Sequence, residues 1–135
     1  MEQAIEHAEA LDRVNTDKIE FCDLSTADKS MIRIKRYGGS SVLSHLFAQG
    51  LISAGTFRSD EGFRRKLEAL LPRSQKLGAG VRDVVAPKYE VVFGIISMSP
   101  RPLNLPLFSQ VNLRSAGRRL IDYGFRVRLL KISAH

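Results

Sequence analysis

Residues 18–50 read KIEFCDLSTADKSMIRIKRYGGSSVLSHLFAQG, and the fold class turns on this stretch. Lys18–Leu24 and Met31–Tyr37 alternate apolar and polar residues, the period-two signature of half-buried strands. The six polar and small residues STADKS between them predict a tight connection, and so an antiparallel hairpin. Gly38-Gly39 interrupts the second run. Ser40 or Ser41 then caps an amphipathic helix reaching about Gln49, with Gly50 placed to end it.

Outward from this block the pattern stays mixed. Met1–Arg13 predicts a helix, with Ala4, Ile5, Ala8 and Leu11 on one stripe. Asp60–Leu71 predicts another, capped by Ser59 and stopped by Pro72. Residues 73–88, broken by Gly78, Gly80 and Pro87, read as a loop. Tyr89–Ser97 (YEVVFGIIS) is almost wholly apolar and β-branched, as in a strand covered on both faces. Pro106 opens a helix to about Tyr123, Gly124 ends it, and Phe125–Ile132 is a last strand. If its two strands are parallel, this final segment forms a right-handed βαβ unit. The expected architecture is one mixed α/β domain over 1–135: an N-terminal helix, an antiparallel β-hairpin, two helices and a βαβ unit, in one sheet flanked by helices.

Composition narrows the function classes. The chain is 44% apolar and 26% charged, ordinary for a globular domain. No apolar run approaches the ~20 residues that span a bilayer. The N-terminus is acidic rather than signal-like, so a cytoplasmic setting without a membrane partner is expected. A single cysteine, Cys22, rules out an internal disulfide, and one Cys with three scattered His residues does not make a structural zinc site. The net charge of +7 is unevenly spread: residues 1–30 hold eight acids and three bases, residues 31–135 eighteen bases and six acids. Most of those bases are Arg, whose planar fork suits phosphate. The implied partner is DNA or RNA, or else an acidic protein.

Alternation directs Ile19, Phe21, Ile32 and Ile34 toward the core. A turn centred between Ala27 and Asp28 sets Phe21 opposite Ile34, Cys22 opposite Arg33, and Glu20 opposite Lys35 on the outer face. An exposed Glu20–Lys35 pair contributes roughly 0.2–1 kcal/mol and by itself has no catalytic meaning. Elsewhere Arg64, Arg65 and Lys66 share one helix, Arg114 and Arg118 form an i,i+4 ridge on another, and Arg126 and Arg128 point the same way from the last strand. Together these arginines suit a phosphate backbone; one by one they suit solvated outer faces. His45 falls beside two apolar stripes and reads as a packed histidine. Cys22 reads as a small strand residue. The glycines of YGGSS lack the spacing of a nucleotide-binding loop.

Two resemblances bear on function. Glu2, Glu6 and Glu9 on a helix, then Asp23, then Arg33-Ile34-Lys35 resemble the layout of the restriction-endonuclease-like PD-(D/E)xK superfamily. That resemblance implies Mg²⁺ held by acids, here Glu20 and Asp23, with Lys35 activating water or stabilising the phosphorane. It also implies a role for Gln49, since several branches carry a glutamine on the following helix. Arg33 departs from the pattern, standing where the second metal-binding acid belongs. Separately, IEFCDL, KRYGGSSVLSHLFAQG and VVFGIIS…LPLFSQVNLRSAGRRLIDYGFRVRLLKI resemble a sporadically distributed bacterial family of unknown function. Its members are longer, with this region toward their C-terminal end. This second resemblance implies patchily inherited or mobile bacterial genes and brings no catalytic residues.

The functional expectation is therefore a nucleic-acid-binding domain with a nuclease-like but incomplete site, in which Arg33, Lys35, Arg36, Arg64, Arg65, Arg114 and Arg118 contact phosphate. The alternatives are an interaction or homodimerisation module with a basic face, and an active Mg²⁺-dependent nuclease.

Overall fold

A computed structural model describes residues 24–133. Its elements are β1 (Leu24–Ser25), β2 (Ser30–Arg36), α1 (Ser40–Ser59), α2 (Glu61–Leu70), β3 (Glu90–Ser97), α3 (Leu107–Asp122) and β4 (Arg126–Ser133). The helix expected at Met1–Arg13 and the strand expected from Lys18 to Asp23 lie outside the described residues.

The strands form one sheet in the order β1-β2-β3-β4. This corrects the expected fold class. The antiparallel hairpin does not organise the sheet: β2, β3 and β4 are mutually parallel, with Met31 beside Val91 and Val91 beside Val127. The antiparallel component among the described residues is the two-residue β1, where Leu24 pairs with Ile32 and Ser25 with Met31. That register is one residue away from the expected one. The Lys29 N–H bonds the Thr26 carbonyl at 3.0 Å, and Lys29 sits at φ 68°, so the turn takes in one residue more than a symmetric reading allows. Parallel neighbours need long crossovers. Residues 37–89, with α1 and α2, supply one between β2 and β3; residues 98–125, with α3, supply the other.

Helices α1 and α3 lie side by side over one face of the sheet, joined by Asn112 Nδ2 donating to Ser44 Oγ at 2.6 Å. Leu43, Leu46, Phe47 and Phe57 of α1 and Leu120 of α3 are buried against Val91, Phe93 and Ile95 of β3. Phe47 meets Phe93 edge to face at 5.2 Å, a geometry that suits their ring quadrupoles. Helix α1 runs through Gly50, because Gly50 serves packing rather than termination. A Cβ there would stand 2.3 Å from Phe93 Cε1, so the ring fills the space a side chain would take. Asp60, not Ser59, caps α2, accepting from the Phe63 N–H at 3.0 Å.

The other sheet face is apolar too. Val92 and Ile132 are buried, and Ile34 and Ile132 close over Gly94, where a Cβ would lie 3.4 and 3.0 Å from them. Strand β3 thus has both faces in use, which accounts for its unbroken apolar run. This inverts the expected facing of β2. Met31 and Arg33 turn toward the helices, and Ile32 and Ile34 turn away from them.

Candidate nucleic-acid interface

Because β2, β3 and β4 are parallel, their C-terminal ends share one edge of the sheet, and α1 and α3 both begin there. Ligands of open parallel sheets collect at such edges, where loops diverge and helix N-termini present unpaired N–H groups. Four cations stand at this edge: Lys35 and Arg36 at the end of β2, Arg101 in the loop after β3, and Lys131 near the end of β4.

The loop carrying Arg101 is held from two sides. Lys131 Nζ donates to the carbonyls of Ser99 and Arg101 at 2.5 and 2.6 Å. The Tyr37 hydroxyl donates to the Asn104 carbonyl at 2.8 Å, and the Tyr37 N–H bonds the Ile96 carbonyl at 2.7 Å. The segment between β3 and α3 is thereby pinned to the ends of β2 and β4. Gly39 precedes α1 and Pro106 precedes α3, and neither supplies a capping side chain, so the first N–H groups of both helices are left to other partners.

The carboxylates, unlike the cations, are confined to one part of the fold. The seven described carboxylates, Asp28, Asp60, Glu61, Glu68, Asp83, Glu90 and Asp122, all sit on the turn before β2, the ends of α1 and α3, α2 and its following loop, or the start of β3. Those positions belong to the amino edge. Glu90 pairs there with Arg128 at 3.1 Å and Arg126 at 3.8 Å, and Glu61 pairs with Arg65 at 3.0 Å. Among the described residues no carboxylate reaches Lys35, Arg36 or Arg101.

The expected site residues divide accordingly. Lys35 and Arg36 are exposed at the carboxyl edge, and Arg114 and Arg118 are exposed farther along α3. Arg65 is exposed but belongs to the amino edge with its Glu61 partner. Arg33 and Arg64 are not surface groups at all. Arg33 is 6% exposed and donates from Nη2 to Ser53 Oγ at 2.6 Å. Arg64 is 4% exposed and donates to four carbonyls: Phe57 at 2.8 Å, Arg58 at 3.0 Å, Val81 at 2.7 Å and Arg82 at 3.3 Å. It caps the C-terminal turn of α1 and fastens the 73–88 loop to it. Neither guanidinium is available at the surface to meet a phosphate. Gln49 is half-buried on α1, where its carbonyl accepts from Ser53 Oγ at 2.8 Å. Glu20, Asp23 and Cys22 lie outside the described residues, and no group of three or more His, Cys, Asp or Glu that could hold a metal occurs among the described ones. His45, read as packed, is exposed.

Sequence reasoning missed Arg101, Lys131 and Phe108. Phe108 stands in the first turn of α3 and is 73% exposed. A basic residue in a Pro-rich loop gives no period to read. Only the parallel pairing of β3 with both its neighbours brings these positions beside Lys35.

Two concavities among the described residues lie away from this edge. A groove of about 340 Å³ at the C-terminal ends of α1 and α3 includes Arg58 and Arg119. Both arginines sit in last turns, where a cation complements the helix dipole. A cavity of about 30 Å³ between the Thr26 turn, Gln75 and Tyr89 is water-sized.

These features define a mixed α/β domain with a parallel three-stranded core, a two-residue antiparallel addition and a carboxyl edge that, among the described residues, carries cations and no carboxylate. A family model described as a family of unknown function, DUF6119, matches residues 7–133, and the chain belongs to that family. No curated protein and no solved structure matches the chain. Among the described residues no helix is long and apolar enough to cross a membrane.

Proposed function

We propose that this chain binds nucleic acid, in a cytoplasmic setting, through the carboxyl edge of its parallel sheet. Lys35, Arg36 and Arg101 contact phosphates, the N-termini of α1 and α3 add their positive dipole ends, and Arg114 and Arg118 extend the track along α3. The supporting observation is the placement of the carboxylates: among the described residues, cations occupy that edge without a single acid beside them. A polyanion meets attraction there and no local repulsion.

The test is a titration of labelled DNA and RNA oligonucleotides at several salt concentrations. Binding should weaken steeply from about 50 to 200 mM salt, and each of Lys35→Ala, Arg36→Ala and Arg101→Ala should lower the salt slope by about one. No retention on a polyanion column at low salt would eliminate the reading.

A second reading, an interaction module, draws on the apolar side chains exposed near the same edge, Met98, Leu107 and Val111 among them. A mass above the monomer in light scattering, abolished by Leu107→Glu, would favour it. Nuclease activity has no supporting cluster among the described residues. Plasmid nicking with Mg²⁺ that disappears in Lys35→Ala is the observation that would bring it back.

A further inference from the structure

The cationic edge carries a second kind of surface. Six of the exposed large apolar residues lie on the segments that begin there: Tyr37, Val42, Met98, Leu107, Phe108 and Val111. Two are aromatic. Tyr37 is 45% exposed, its ring orientation set by the hydroxyl bond to the Asn104 carbonyl. Phe108 lies one helical turn before Asn112, whose side chain bonds Ser44 on α1, and it is exposed. Lys35 and Arg36 immediately precede Tyr37 in the chain, and Arg101 leads into the segment that Tyr37 and Lys131 pin down.

A duplex cannot use such a surface. Its bases are stacked on one another, and it would set charged phosphates and solvated sugars against Met98, Leu107 and Phe108. A single strand offers both phosphates for the cations and unstacked base faces for the rings. Stacking on aromatic side chains is tolerant of sequence, because every base has a π-face. An anionic protein segment would satisfy the cations but gives the two rings no planar partner.

Resting on the nucleic-acid reading above, we propose that the ligand is single-stranded, with bases stacking on Tyr37 and Phe108 while Lys35, Arg36 and Arg101 hold the backbone. Tyr37 is pre-placed by its hydroxyl bond, so little ordering of that ring accompanies binding.

The experiment uses fluorescence anisotropy on the full chain with three probes of equal length: a single-stranded oligothymidine, the corresponding duplex, and an abasic strand carrying phosphates without bases. The single strand should bind about tenfold or more tighter than the abasic strand. Tyr37→Leu and Phe108→Ala should each weaken single-strand binding by about 5- to 50-fold, and Phe108→Ala should leave the abasic strand unchanged. Both positions are exposed, and circular dichroism of the variants checks that the fold is kept. Equal affinity for all three probes, with no effect of the ring substitutions, overturns base stacking but leaves phosphate binding standing. No binding of any probe at about 50 mM salt overturns both. Displacement of a weakly bound strand by an acidic peptide that depends on Phe108 would assign the surface to a protein partner instead.

Discussion

Arg33 Nη2 donates to Ser53 Oγ at 2.6 Å, and Ser53 Oγ donates to the Gln49 carbonyl at 2.8 Å, so a strand arginine is tied to the fourth turn of α1. A charge enters the layer between sheet and helix, and the Ser53 hydroxyl, itself oriented by the Gln49 carbonyl, receives it there. Arg33→Ala removes the donor to the Ser53 hydroxyl and leaves a cavity between sheet and helix, and should cost about 2–4 kcal/mol in urea unfolding. Arg33→Met restores apolar volume and should recover most of that loss. Neither change should alter the salt slope of polyanion binding, which separates Arg33 from its exposed neighbours Lys35 and Arg36.

Arg64 should behave as a structural clamp. Its fork reaches carbonyls on two segments at once, which a lysine's single ammonium cannot do. Arg64→Lys should lose about 1.5–3 kcal/mol of stability. The 73–88 segment, tied to α1 through Val81 and Arg82, should become faster to cleave in limited proteolysis. Unchanged cleavage at Arg73, Lys76, Arg82 and Lys88 would show that the clamp does not hold the loop.

Gly50 and Phe93 should couple. A methyl added at Gly50 collides with the ring, at 2.3 Å from Cε1, and should destabilise by about 1–3 kcal/mol. Phe93→Leu makes room for it. The double variant should therefore lose less than the two single variants together, a difference read from a double-mutant cycle.

Tyr89 gives the fold an alkaline limit. Burial pushes its phenol above the ordinary 10.0, and the negative charge of Glu68 acts the same way. The folded state thus favours the neutral phenol. This contribution is complete below the unfolded pKa and is lost as pH rises through it toward the raised folded value. The stability of the wild-type chain relative to Tyr89→Phe should be constant up to about pH 9 and decline above about pH 10. A constant difference across that range would contradict the burial of the phenol.

The elements themselves were largely legible. The apolar run at 89–97 appears as Glu90–Ser97, and the stretch after Pro106 forms a helix to Asp122. Local period and turn chemistry encode such elements, because alternation and amphipathic spacing reflect neighbours within the same segment. Gly50 shows where this fails. A glycine that ends a helix and one that admits an aromatic ring look the same until the ring's strand is placed beside it.

The cationic edge was legible only in part. Lys35 and Arg36 were readable as a basic strand end. Arg33, two residues earlier, shares the side-chain direction of Lys35 yet lies beneath α1 rather than beyond its start, and alternation cannot measure how far a helix extends over a strand. Arg64 had the appearance of a solvated helix residue until the carbonyls of α1 and the following loop were brought around it.

By itself the sequence determined where strands and helices form, the net positive charge and the impossibility of an internal disulfide, because each follows from residue identity or short-range spacing. Tertiary structure decided that β2 lies between β1 and β3, that three strands run parallel, which arginines are enclosed, and which cations meet at one edge. Those outcomes depend on contacts between segments far apart in the chain, such as Met31 beside Val91. Their free energy comes from burial and pairing that no local window contains.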